Sequence, residues 1–246
     1  MSHFNYHSIT LNNGIKWEVA KALIDFKSQL YSKAISQSKQ KSQFTMDASQ
    51  AGRYRSPGLK FQMQLMGILA EIYSQEYLIE IIANENLSGQ WKVIRYDDVR
   101  TDGFKSPANE YDIKIQSANG AKEFKVESRS SIAHDRSLKN AIEQFDIIGP
   151  YSSVAKSGEG LADFFIRPLY EFLPFATKKY LPSNFESHLK AEEIKLHLVA
   201  ACTKKDMIEK GYNKSMNQGG TLYRVIKIVD GYDVKKFSSV LIDKLK

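Results

Sequence analysis

The sequence holds one cysteine, Cys202, so no disulfide can form within the chain and no cysteine-based zinc site is available. Cys202 ends the apolar run Leu196-His197-Leu198-Val199-Ala200-Ala201, where a small buried hydrophobe is the expected role. No run approaches the ~18 apolar residues that a membrane span needs. The opening Met1-Ser2-His3-Phe4-Asn5-Tyr6-His7 also lacks the basic head and apolar stretch of a signal peptide. Gly158, Gly160, Gly219 and Gly220 are not followed by Gly-Lys-Ser/Thr, which excludes a phosphate loop. These absences lead to the expectation of a cytoplasmic protein with no membrane partner. There is no internal repeat.

What is present is ordinary in amount and basic in balance. The 246 residues are 42% hydrophobic and 26% charged, which suits one ample globular domain or one with an extra lobe. The net charge of +7 suits a polyanionic partner, either nucleic acid or an anionic surface. The basic residues are unevenly placed. Between Lys27 and Lys60 stand Lys27, Lys33, Lys39, Lys41, Arg53, Arg55 and Lys60, against the single acid Asp47. This stretch reads either as a solvated connection or as an arm that orders on phosphates.

Hydrophobic spacing predicts an amphipathic helix over 15–37 and a second, longer one from about Leu59 to Ala83, approached by Pro57 and Gly58. The centre of the second, Leu65 to Tyr73, is apolar almost all round, and Glu71 is its only charge. A carboxylate in a buried helix must be paired, protonated or bound to a cation. Strands are expected at 91–95, 111–116, 123–129, 162–170, 196–202 and 222–229, and helices at 137–148 and 204–210, with Thr203 capping the latter. Residues 97–109 read as a polar loop, with Asp97, Asp98 and Asp102 solvated. The mixture predicts an α/β (α+β) fold with one central mixed β-sheet flanked by helices. Residues 1–57 form an N-terminal helix and basic arm in this reading, and 58–246 form the core. The aromatic and basic stretch 171–195 is a candidate recognition or dimerisation insertion, or simply packs into the body.

Asn119-Gly120 between two alternating segments is a strong hairpin signal, read as a type I′ turn. Pairing across it sets Asp112 opposite Glu127 and Lys114 opposite Lys125. Strand alternation then gathers Asp112, Lys114, Lys125, Glu127 and Arg129 on one face. Tyr111, Ile113, Ile115, Phe124, Val126 and Ser128 go to the other. Facing carboxylates repel unless positive charge lies between them. That charge comes either from Lys125, Lys114 and Arg129 on an exposed face, or from a hard divalent cation, which favours oxygen ligands. His134 and Asp135 read as an exposed turn before a helix, and His197 as a core histidine.

The order of these segments, Gly67-Ile68-Leu69-Ala70-Glu71-Ile72-Tyr73, then Glu110-Tyr111-Asp112-Ile113-Lys114-Ile115, then Phe124-Lys125-Val126-Glu127-Ser128-Arg129, resembles the PD-(D/E)xK nuclease superfamily, and particularly its type II restriction endonucleases. The resemblance covers about residues 58–130. It implies a restriction-endonuclease-like fold and Mg²⁺-dependent hydrolysis of DNA phosphodiesters, with Mn²⁺ able to substitute. Asp112 and Glu127 would be metal ligands, the Ser128 carbonyl a third contact, and Glu71 a ligand through water or to a second ion. Tyr111 replaces the family's Pro, and Arg129 its Lys. Arg supplies charge in a different geometry, and Lys125, on the same strand face, is the candidate substitute. The resemblance further implies DNA as partner, and the basic residues flanking the core, Lys39, Lys41, Arg53, Arg55 and Lys60, are the candidate contacts, with Arg129, Lys178 and Lys179 as lesser candidates. A homodimer would allow both strands to be cut. The alternatives are a DNA-binding protein with this fold and weakened cleavage, and a repair or nicking nuclease.

Overall fold

The computed structural model describes residues 2–47, 54–106, 111–134, 136–151, 162–172, 184–215 and 222–246. In chain order the elements are β1 (Phe4–Thr10), β2 (Lys16–Ala22), α1 (Gln29–Gln43), α2 (Pro57–Asn84), β3 (Trp91–Arg95), α3 (Tyr96–Val99), β4 (Ile113–Ser117) and β5 (Glu123–Ser128). There follow β6 (Ser131–Ala133), α4 (Leu138–Gln144), β7 (Asp146–Tyr151), β8 (Phe164–Phe172), α5 (Phe185–Lys190), β9 (Ile194–Thr203), α6 (Lys204–Glu209), β10 (Tyr212–Ser215), β11 (Leu222–Lys227) and α7 (Val234–Leu245).

The central sheet runs β1-β2-β9-β8-β5-β4-β3, with β6 added against β8, and β10-β11-β7 form a smaller sheet. Pairing is antiparallel throughout except that β5 and β6 lie parallel to β8, so the sheet is mixed. The fold is therefore α+β, with helices packed on a mixed central sheet. The middle strands β8 and β9 are buried on both faces and are accordingly apolar nearly end to end. One core, on the side of α1, α2, α5 and α7, includes Ile68, Ile72, Ile113, Val126, Phe164 and Phe237. The other, under α4, α6 and the small sheet, includes Phe165, Leu169, Val199, Met207 and Ile226.

Pro168 has no N–H to give to a ladder, and the pairing of β8 with β9 slips at Arg167/Pro168. The slip leaves Val199 without a partner in the register, and the indole Nε1 of Trp17 donates to its carbonyl at 2.7 Å. A β2 side chain thus satisfies a polar group that the bulge would otherwise strand in the core.

The N-terminal region departs from expectation. The first part of the helix expected over 15–37 is strand β2, preceded by β1, and α1 starts only after Ser28, whose hydroxyl accepts from the Tyr31 N–H at 3.2 Å. The chain reverses between Leu11 and Ile15 through Gly14 at φ +81°, so Asn13-Gly14 is a second hairpin turn. The correction has a simple cause. Strand β2 lies inside the sheet and carries apolar side chains on both faces, Trp17 and Val19 toward one core and Ala20 and Ala22 toward the other. Alternation is then invisible, and the residual spacing imitates a helix. Strands β1 and β2 extend the central sheet, so this segment contributes to the body of the fold.

Elsewhere α2, β3, β4, β5, β8, β9, α6 and β11 fall where the sequence puts them, within a few residues. The predicted helix over 137–148 is shorter: α4 ends at Gln144 and β7 begins at Asp146. Phe172 and Phe185, from the candidate insertion, are buried, and Phe185 packs edge-on to Tyr170 at 5.1 Å. Phe175, Tyr180, Lys178 and Lys179 lie outside the described residues, as do Asp135 and Gly158, Gly160, Gly219 and Gly220.

Candidate active site

The β4–β5 hairpin has the register expected from its sequence: Ile113 pairs with Val126, Lys114 with Lys125 and Ile115 with Phe124. Only Gly120, at φ +71°, takes the left-handed conformation, and the Ser117 N–H still bonds to the Lys122 carbonyl. The connection is therefore a four-residue loop over 118–121 rather than a two-residue type I′ turn. Asp112 immediately precedes β4. Its N–H donates to the Val126 carbonyl at 3.3 Å, and its Oδ2 accepts the Ser128 N–H at 2.8 Å. Glu127, on β5, is buried, and its Oε2 accepts from Arg129 Nε at 2.9 Å. The Arg129 guanidinium also lies over the Tyr223 ring of β11, at 5.7 Å. The ion-paired alternative is thus realised for Glu127 with Arg129, while Lys114 pairs instead with Glu123 at 3.3 Å.

Helix α2 delivers Glu71 to the same place. Ser74, one turn further on and fully buried, shares a hydrogen bond of 2.8 Å with the Ser128 hydroxyl, which pins α2 to β5 beside the hairpin carboxylates. Glu71 Oε2 lies 3.4 Å from Nη1 of Arg95, whose side chain is fully buried at the end of β3. Arg95 also bonds to Asp98 at 2.5 Å and to Gln37, and lies 3.9 Å from Asp97. The expected solvated loop is in fact an ordered network: Asp97 is buried, holding Lys41 at 3.0 Å and Arg100 at 3.2 Å. Residues 107–109 of that loop lie outside the described residues.

The electrostatics of the cluster are out of balance. Burial, followed by the negative charges of Glu71 and Glu127, pushes the Asp112 carboxyl up to about 8, against the opposing pull of the Ser128 N–H and of Arg129. Glu71 is raised too, mainly by burial and by Asp97, despite Lys41 and Arg95. Positive charge is therefore short at Asp112 even with Arg129 nearby.

Among the described residues, no group of three or more His, Cys, Asp or Glu side chains is close enough together to hold a metal ion. Mg²⁺ asks for less, since one or two carboxylates with water in the remaining positions suffice. The hard oxygen donors of Asp112 and Glu127, with the charge of Arg129 falling short of offsetting burial and the neighbouring carboxylates at Asp112, fit that requirement. No known protein family matches the chain, and no solved structure does. The chain is similar to a protein of Methanocaldococcus jannaschii named only as uncharacterized, being 25% identical over 209 residues, which span 78% of this chain and 74% of the other. That likeness names no activity.

The remaining candidates are dispersed. Lys125 anchors β5 through its backbone: its N–H donates to Asp163 Oδ2 and its carbonyl accepts the Asp163 N–H, both at 2.8 Å. Of the basic residues expected on DNA, Lys39 is exposed, Arg55 is half-buried, and Lys60 pairs with Asp47 at 2.7 Å. Arg53 lies outside the described residues. Lys41 turns inward to the carboxylates instead of outward. Sequence reasoning missed Arg95 and the ordering of Asp97. The one available signal was an arginine closing an apolar strand just before Asp97-Asp98, a place where a buried cation needs partners.

Proposed function

We propose that this chain is a Mg²⁺-dependent DNA endonuclease of the PD-(D/E)xK type, with a restriction-endonuclease-like fold and sequence-specific, restriction-type cleavage. The observation that carries the reading is the placement of Asp112 at a strand end beside Glu127 of its hairpin partner, with Glu71 of a separate buried helix adding its negative charge at Asp112. Asp112 is left short of positive charge there. The net charge of +7 agrees with a polyanionic substrate.

When bound, Mg²⁺ supplies positive charge that polarises the phosphate and lowers the pKa of water. Asp112 and Glu127 would hold it, and Glu71 would orient water or a second ion. The Ser128 N–H fixes the orientation of the Asp112 carboxylate, and the Ser74–Ser128 bond fixes the distance between helix and hairpin. Arg129 stays protonated and cannot act as a base; it can only contribute charge beside Glu127.

The test is incubation with plasmid and phage DNA in Mg²⁺, in Mn²⁺ and in EDTA, with Asp112→Ala alongside. Discrete, metal-dependent bands that disappear in the variant are the expected result. Tight binding with no cleavage in either metal would instead favour a DNA-binding protein in which the engagement of Arg129 with Glu127 and Tyr223 has disabled the site. Nicked circles without discrete fragments would favour a nicking or repair nuclease.

A further inference from the structure

The lysine that this chain lacks at Arg129 has a counterpart elsewhere in the fold. Helix α1 buries Ala34 and Ser38 against the body, and Lys41 follows on the same face at the i, i+4, i+7 spacing. Lys41 is half-buried there, and a lysine that continues a core-facing stripe is unusual, because its ammonium loses part of its hydration. Its Nζ reaches Asp97 Oδ2 at 3.0 Å and lies 5.9 Å from the centre of the Phe104 ring. Asp97 does not depend on this contact, since Arg100 holds it at 3.2 Å and Arg95 stands at 3.9 Å. Burial pulls the Lys41 pKa down, but the charges of Glu71, Asp97 and Asp112 more than offset it and hold the amine protonated. Through Asp97 it joins the same cluster as Glu71, because Arg95 Nη1 lies 3.9 Å from Asp97 Oδ2 and 3.4 Å from Glu71 Oε2, and the charges of Glu71 and Asp112 act on it there.

Lys41 and Arg129 approach from opposite faces of the sheet. Arg129 leans toward Tyr223 on the side of the small sheet, whereas α1 packs with α2 on the other. We propose that Lys41 is a catalytic residue of the nuclease site, its ammonium contacting a non-bridging oxygen of the scissile phosphate from the helix side. The inference rests on the nuclease reading. In the hydrolysis, a water oxygen bonds to phosphorus and the bond from phosphorus to the 3′ oxygen breaks. The water gives up a proton to solvent, and the leaving oxygen takes one from it. Lys41 keeps its proton throughout and neutralises the charge that builds on the phosphate.

Lys41→Gln and Lys41→Arg separate this role from a structural one. Single-turnover cleavage of plasmid is measured at saturating Mg²⁺, and binding of Mg²⁺ alone by calorimetry. The expected result for Lys41→Gln is a cleavage rate lower by about 100-fold or more, with Mg²⁺ bound as tightly as in the wild type or more tightly, because a competing positive charge is gone. Lys41→Arg keeps the pair with Asp97 and is expected to recover only part of the rate, with metal binding unchanged. Cleavage by Lys41→Gln within about threefold of wild type would overturn the assignment; that threshold is well below the effect of losing one transition-state donor. So would a loss of metal affinity that accounts for the whole loss of rate. A wild-type protein that cleaves nothing would instead remove the nuclease reading itself.

Discussion

Replacing Asp112 by Asn should stabilise the metal-free protein at alkaline pH, the reverse of what losing a buried charged residue usually does. The reason lies in the direction of the shift. Burial and the charges of Glu71 and Glu127 raise the Asp112 carboxyl from its ordinary 3.8 to about 8. Between those values the folded chain binds a proton that the unfolded chain has lost, so stability falls as pH rises through the window. The penalty is absent below pH ~4 and complete above pH ~8. A rise from 3.8 to about 8 would correspond to at most about 6 kcal/mol, and relaxation and water entry around buried ions reduce this to ~2–3 kcal/mol. Asn keeps an oxygen for the Ser128 N–H and carries no charge. Urea melts at pH 4 and pH 9 in EDTA should therefore show Asp112→Asn near the wild type in acid and ~2–3 kcal/mol more stable in alkali. Saturating Mg²⁺ should then stabilise the wild type, by about 2.7 kcal/mol at one hundred times Kd, and leave the variant nearly unmoved. A variant less stable than the wild type at pH 9, or one that Mg²⁺ stabilises equally, would refute the reasoning.

Two further outcomes concern the frame around the site. Trp17→Phe leaves the Val199 carbonyl of the β8–β9 bulge buried without its donor, and should cost about 1–3 kcal/mol in chemical denaturation while leaving Mg²⁺ affinity unchanged. Ser74→Ala removes the tie between α2 and β5 and should cost about 1 kcal/mol of stability. Because Ser74 lies one turn from Glu71, calorimetry should also show weaker Mg²⁺ binding in that variant, which Trp17→Phe should not.

The hairpin was legible because its information is local. Alternating side chains and Asn119-Gly120 fix which residues face each other, and Lys114 does stand opposite Lys125. Glu71 was legible as an anomaly, a lone charge in an apolar helix, but its partner Arg95 was not, since the pair is brought together only by α2 packing on β3. Lys41 illustrates the limit most clearly. In sequence it is one of a run of bases and looks solvated. Its partial burial depends on which face of α1 meets α2, and that is decided by Tyr31 and Ala34 being buried while Lys39 stays outside. Strand β2 was hidden because burial on both faces removes alternation, the one cue by which a strand declares itself, and β1 because it is a largely exposed edge strand with little apolar patterning; Asn13-Gly14 was the usable signal.

The parallel seam between β5 and β8 bears on when the chain becomes competent. Glu71, Asp112 and Glu127 all precede β8 and β9 in the chain, but β5 is held on its far side by Phe164, Phe165 and Ile166, and β8 in turn by β9. An isolated two-stranded ribbon is at best marginally stable in water. As the chain emerges during synthesis, its acidic residues therefore precede by a long interval the strands that would hold them in place. The carboxylates are thus held in place through strands that come after them in the chain, β8 directly and β9 behind it.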